Sequence, residues 1–242
     1  MIRLEIIHAL FCLANGERLL LGDVATIDVG IPPTAFKIHE NLLVSRSGFF
    51  RGALRGNFLE YHTRTIATSW LDVENFTYLV SWLYTGTLHN VFALENLTSN
   101  RFGSCVRRTF ELWLLGDQLQ IPQLQNQLAS GLINCLPRFH NLPPVPDNET
   151  LGLVYANTIA SSPVRRLAVD LAVATRLMTD LEEYLEHLSD EIVRDICVAA
   201  IHFWKADARH TPNRRRQYLM DEKAKEKYDV APLPDLPSLT QA

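Results

Sequence analysis

Paired carboxylates, scattered histidines and four cysteines are the groups in this chain that could do chemistry, and their spacing decides whether they do. Glu182-Glu183 and Asp190-Glu191 have the composition of an acid/base pair. That chemistry needs two carboxylates held in different environments. Both pairs instead fall at the starts of predicted helices, where a carboxylate is favoured by the helix dipole. His39 has no nucleophile and no second ligand near it in sequence, so it reads as a hydrogen-bonded structural residue. Cys12, Cys105, Cys135 and Cys197 are far apart and form no C-x-x-C, which argues against a zinc finger. Reduced, mostly buried thiols in an intracellular protein are the expectation. The chain contains no G-x-S-x-G, Walker A, G-x-G-x-x-G or H-E-x-x-H motif. The expectation is therefore no catalysis, no cofactor and no metal, an enzyme surviving only if its residues converge in three dimensions.

The elements that would position these residues centre on residues 34–50, TAFKIHENLLVSRSGFF. Thr34, Phe36 and Ile38 alternate with Ala35, Lys37 and His39, which predicts a half-buried strand. From Leu42 the spacing becomes helical, with Leu42, Leu43, Phe49 and Phe50 on two short helices and Ser45 or Ser47 as a cap between them. In residues 72–86, Phe76, Leu79, Val80 and Leu83 fall at i, i+3, i+4 and i+7. Asp72 can cap that helix and Gly86 can end it in the left-handed conformation.

In order and spacing, Asp23-Val24, Phe36, His39, Leu42-Leu43, Ser47, Phe50 and Tyr84-Thr85-Gly86 resemble the BTB/POZ domain, and the likeness runs through roughly Leu4–Leu136. The chain looks most like the fungal BTB type with a helical C-terminal extension. The resemblance implies an α+β fold, a three-stranded sheet capping a helical core, with an all-helical extension behind it. Val24–Val29 and Thr63–Ala67 supply the other two strands, Arg64 and Ile66 facing away from Thr63, Thr65 and Ala67. Residues 51–62, carrying Arg51, Arg55, Glu60 and His62, read as a solvated connection.

The expected organisation is an N-terminal helix over 1–22, a BTB/POZ domain over 23–136, a proline-rich linker over 137–148, helices over 149–207 and a mobile tail over 208–242. Residues 4–14, LEIIHALFCLA, are apolar around more than half a helix, too short and too charged for a signal peptide. In BTB dimers such a helix packs across the two-fold axis, so Leu4, Ile6, Ile7, Leu10 and Phe11 are the expected dimer interface. The alternative is a helix tucked on its own core. After Gly86 a loop is expected until helix returns at Ser104, with Val106, Phe110, Trp113 and Leu114 buried. Pro122 then starts a helix with Leu124, Leu128, Leu132 and Leu136 at four-residue spacing. Asp147 or Asn148 caps a helix through Ile159. Ser162-Pro163 starts one to about Leu177, Thr179 and Glu182 form a capping box, and Ser189 caps the last helix. Its stripe is Ile192, Val193, Ile196, Cys197, Ala200, Phe203 and Trp204. Arg214-Arg215-Arg216 resembles an import signal but is diluted by Asp221, Glu222 and Glu226.

A net charge of −4 argues against a general nucleic-acid binder, and no segment has the ~20 apolar residues that span a bilayer. A cytoplasmic or nuclear protein is expected. The resemblance implies a homodimeric scaffold or adaptor whose partners are itself and other proteins. Tyr84, His89 and Phe92 are the expected partner surface. Two alternatives stand within this class, a substrate adaptor of a cullin-based ubiquitin ligase and a transcriptional co-regulator. Co-regulators of the family often carry a basic residue after the histidine, whereas this chain has Glu40. Cullin-binding members usually show a hydrophobic residue, any residue, then an acid at the start of the helix after the Tyr-Thr-Gly. Aligned on Asp117, that triplet is Arg108-Thr109-Phe110, and the acid is missing.

Overall fold

In a computed structural model, residues 19–20, 22–88, 91–92, 99–135, 146–176 and 181–207 are described. Strand β1 (Val24–Val29) is central in a three-stranded sheet of order β2-β1-β3. Its alternation is that of a one-sided strand: Ala25, Ile27 and Val29 are fully buried. A turn through Gly30 and the cis Ile31-Pro32 bond leads to β2 (Thr34–His39), which pairs antiparallel with Val24 opposite His39 and Val29 opposite Thr34. Strand β3 (Thr65–Thr68) pairs with β1 in parallel, Thr26 opposite Thr65. A parallel pair needs a long crossover. Here it consists of α1 (Glu40–Arg46), α2 (Gly48–Arg55) and α3 (Leu59–Thr63).

Residues 51–62 are solvated as expected, with only Leu54 buried, but they are helical rather than a plain connection: the end of α2 and Leu59–His62 of α3. Helix α3 buries none of its side chains, so it leaves no periodic apolar signal in the sequence. Thr63 closes that helix, and Arg64 takes the left-handed conformation (φ 53°) before β3 begins. Strand β3 thus starts two residues later than its alternation suggested.

Helix α4 (Val73–Thr85) is capped as the sequence predicts: the Asp72 carboxylate accepts from Asn75 N–H at 2.8 Å, and Gly86 ends the helix at φ 68°. Its buried residues are Phe76, Leu79, Trp82 and Leu83; Val80 is only half-buried. Trp82 takes the core position because its indole N–H finds a partner, Gln127 Oε1 at 2.7 Å. Helix α5 (Ser99–Gln118) begins at Ser99 and not at Ser104, since Ser99-Asn100-Arg101-Phe102-Gly103 continues the helix despite loop-like residues. Val106, Phe110, Trp113 and Leu114 are buried as expected. Helix α6 (Pro122–Cys135) follows, with Leu124, Leu128 and Leu132 fully buried against α5. Leu136 lies outside the described residues.

The extension comprises α7 (Asn148–Ala156), α8 (Pro163–Arg176), α9 (Leu181–Glu186) and α10 (Asp190–Asp207). Asp147 caps α7, accepting from Thr150 N–H at 2.8 Å, but the helix stops at Ala156, short of the expected Ile159. The capping box at Thr179 falls outside the described residues. In α10, Ile192, Ile196 and Ala200 are buried against α8, whereas Cys197 is exposed. The expected stripe was too wide at Cys197, Val193 in it is only half-buried, and the side chains of Phe203 and Trp204 lie outside the described residues. Of the thiols expected to be mostly buried, Cys105 is half-buried and Cys197 is on the surface, while Cys12 and the side chain of Cys135 lie outside the described residues. Helix α7 packs on α5, so the extension rests directly on the first domain.

Candidate partner-binding surface

The residues that carry the resemblance form one framework rather than a reactive site. Asp23 is exposed, and its backbone carbonyl accepts from Glu40 N–H at 2.9 Å, tying the start of β1 to the end of β2. Phe36 packs edge-on against Phe76 of α4. His39 N–H donates to the Tyr84 hydroxyl at 3.3 Å, and Nδ1 lies 2.8 Å from the same oxygen. His39 and Tyr84 thus pin the end of β2 to the end of α4, one residue pair before Gly86.

Ser47 is the densest junction. Its Oγ accepts from Phe50 N–H at 3.2 Å as the N-cap of α2, and donates to Leu119 O at 2.6 Å. Gly48 N–H reaches Gln120 O at 3.1 Å. A side chain at Gly48 would collide with Gln120 Oε1, so the α5–α6 turn lies directly on this residue. Phe50 and Leu43 beneath it are fully buried.

Glu40, which stands where co-regulators of the family often carry a basic residue, is 5% exposed. Arg55 Nε stands 3.3 Å from Oε1 and Arg64 Nη1 2.7 Å from Oε2. The second contact is an ion pair without hydrogen-bond alignment. One acid thereby joins α1, α2 and the turn before β3. Sequence reasoning missed it because a charged residue after a strand reads as solvated.

A second charged cluster joins α4 and α5: Arg108 of α5 meets Glu74 at 2.6 Å, stacks over Tyr78 at 5.1 Å and bonds Asn75. Glu111 receives Arg107 at 3.1 Å and Arg108 at 3.3 Å. Arg107 also pairs with Glu149 of α7. The triplet Arg108-Thr109-Phe110 lies in the middle of α5, with Phe110 fully buried. Of the expected partner surface, Tyr84 is half-buried on His39. Phe92 is half-buried and fills the space over Gly131 of α6, where a Cβ would meet its ring. His89 and the interface residues Leu4, Ile6, Ile7, Leu10 and Phe11 lie outside the described residues.

The extension has its own pin, also unforeseen. Arg165, 7% exposed, donates to Thr158 Oγ1 at 2.9 Å, Tyr155 O at 2.8 Å and Glu191 Oε1 at 2.6 Å, and lies over the Tyr155 ring. The Tyr155 hydroxyl donates to Asp195 at 2.8 Å. One signal was available: an arginine in the first turn of a helix opposes the dipole and needs an acid from elsewhere.

Among the described residues, no group of three or more His, Cys, Asp or Glu side chains could hold a metal ion, and no helix is long and apolar enough to cross a membrane. A comparison with curated proteins found no match. The family description that matches is the BTB/POZ domain, over residues 23–136. BTB/POZ domains are protein-interaction modules, generally without catalysis. The sheet order, the Ser47 and His39 junctions and the closing helix pair all lie inside the matched span, so this chain is a BTB/POZ-domain protein whose domain is followed by a helical extension.

Proposed function

We propose that the chain is a homodimeric interaction scaffold of the cytoplasm or nucleus, without catalysis of its own. The match of residues 23–136 to an interaction family carries this reading. The wide apolar face of Leu4, Ile6, Ile7, Leu10 and Phe11 supports self-association, because a monomer rarely leaves such a patch in water. Co-purification tests it. Two differently tagged copies expressed together are recovered as mixed dimers, whereas recovery of each tag alone contradicts the proposal.

Within this reading the chain binds a cullin weakly or not at all. The acid that binders of the family place after a hydrophobic residue is missing, and the nearby Glu111 is held by Arg107 and Arg108. One step along a helix turns a side chain by about 100°, so Glu111 does not take the missing place. Calorimetry with the N-terminal domain of a cullin from the same organism decides this. Submicromolar binding lost on Tyr84→Ala overturns it and makes the ligase-adaptor role the better reading.

A further inference from the structure

Gly131 stands in the interior of α6, where a glycine weakens the helix relative to alanine. Its neighbour accounts for it. A Cβ at this position would run into the Phe92 ring, with Cζ 2.7 Å and Cδ2 2.9 Å away. The ring therefore rests on bare helix backbone. Phe92 is half-buried and packs against the core, so the ring is seated without being enclosed.

Val91 and Phe92 form one turn with Leu88: both N–H groups donate to Leu88 O, at 3.0 and 3.2 Å. Val91 is 8% exposed, and its carbonyl accepts from the Cys105 thiol of α5 at 3.1 Å. The turn thus meets α5 through a thiol, a weak donor, and α6 through the ring. Upstream, Thr85 Oγ1 donates to Ser81 O at 2.8 Å and accepts from Thr87 N–H at 3.2 Å, which fixes the exit from α4 before the turn begins. A ring that rotates about its side-chain bonds leaves Gly131 without breaking a helix hydrogen bond. Segments held by few buried contacts open before the rest of a fold.

We propose that Phe92 is a latch. Seated on Gly131, it holds the turn of Val91 and Phe92 closed on α5 and α6. Unseated, it opens the turn, uncovers the glycine and frees the Cys105 thiol, while the helices stay in place. The surface beyond Tyr84 and Gly86 then has a closed and an open form, and a protein partner that binds one form better shifts the balance towards it. The latch itself depends neither on self-association nor on the partner's identity.

Cys105 reports on the latch. The full chain is alkylated with N-ethylmaleimide and each cysteine followed by peptide mass spectrometry, beside Phe92→Ala and Gly131→Ala variants. Phe92→Ala removes the ring, and Gly131→Ala fills its seat while favouring the helix. Cys105 is expected to react about tenfold faster in both variants, with exposed Cys197 reacting alike in all three proteins. Equal rates at Cys105 in the three overturn the proposal. So does a rise in only one variant, since ring and glycine are then not a pair. Alkylation of Cys105 in the parent that accelerates with urea as steeply as global unfolding overturns it too, because the thiol is then freed only with the whole fold.

Discussion

Single residues here do most of their work at junctions between elements. Ser47 both caps α2 and bonds the turn between α5 and α6. Ser47→Ala removes the cap and leaves the Leu119 carbonyl with only its longer bond from Phe49 N–H at 3.4 Å, so it is expected to cost about 1–3 kcal/mol in denaturant unfolding. Phe50 and Leu83 carry no polar task and are core. Replacing either by Ala should cost about 2–5 kcal/mol, because lost transfer energy and the cavity add. His39→Gln should cost less than either, as an amide can still meet the Tyr84 hydroxyl. An unfolding midpoint unchanged by Phe50→Ala contradicts the packing described for α2.

At the scale of elements, the extension is held by a polar network, and that network has a pH signature. Burial, and then the hydrogen bond to Asp195, push the Tyr155 phenol well above its ordinary value of 10.0. The folded chain therefore keeps a proton that the unfolded chain releases. The contribution is fully present below pH 10.0 and is lost as pH rises beyond it. Stability measured by urea unfolding should fall above that pH, and Tyr155→Phe should make the fall shallower. An unchanged alkaline slope in the variant sinks this account of the network. Arg165→Leu should release α7, α8 and α10 locally, read as faster amide exchange there with β1 and α4 still protected. Loss of protection throughout would show that extension and domain unfold as one unit.

Those elements differ in how far the sequence announces them. Asp72, Gly86, Ser47, Asp147, Pro122 and Pro163 are legible because capping and backbone freedom are local properties. Helix α3 is silent because it buries nothing, and the start of α5 is hidden by Asn and Gly residues that tertiary packing overrides. Glu40 and Arg165 are legible only in part. Each is a charge whose burial depends on a partner distant in the chain, Arg64 for one and Glu191 for the other. Cys197 fails in the opposite direction, as apolar residues at helical spacing do not say how wide the covered face is. The resemblance was legible because its residues recur at fixed spacing, and those spacings are the junctions of the framework.

At the scale of the whole molecule, a BTB/POZ domain carries an extension seated on it through α5 and α7, and the apolar N-terminal segment is the surface proposed to pair two chains. The ion pairs of Arg107 with Glu111 and Glu149 lie at the surface, so salt should loosen the seating of α7 only slightly. Amide exchange in α7 should therefore rise little at high salt while the sheet is unchanged. Self-association is the central claim, and light scattering coupled to size exclusion tests it most directly, on the parent chain and on a Leu4→Asp, Phe11→Asp double variant at tens of micromolar. The account predicts twice the chain mass of 27.5 kDa for the parent and the single-chain mass for the variant, with the unfolding of the BTB/POZ core retained. A parent chain that elutes as a clean monomer, or a dimer untouched by the two aspartates, contradicts it.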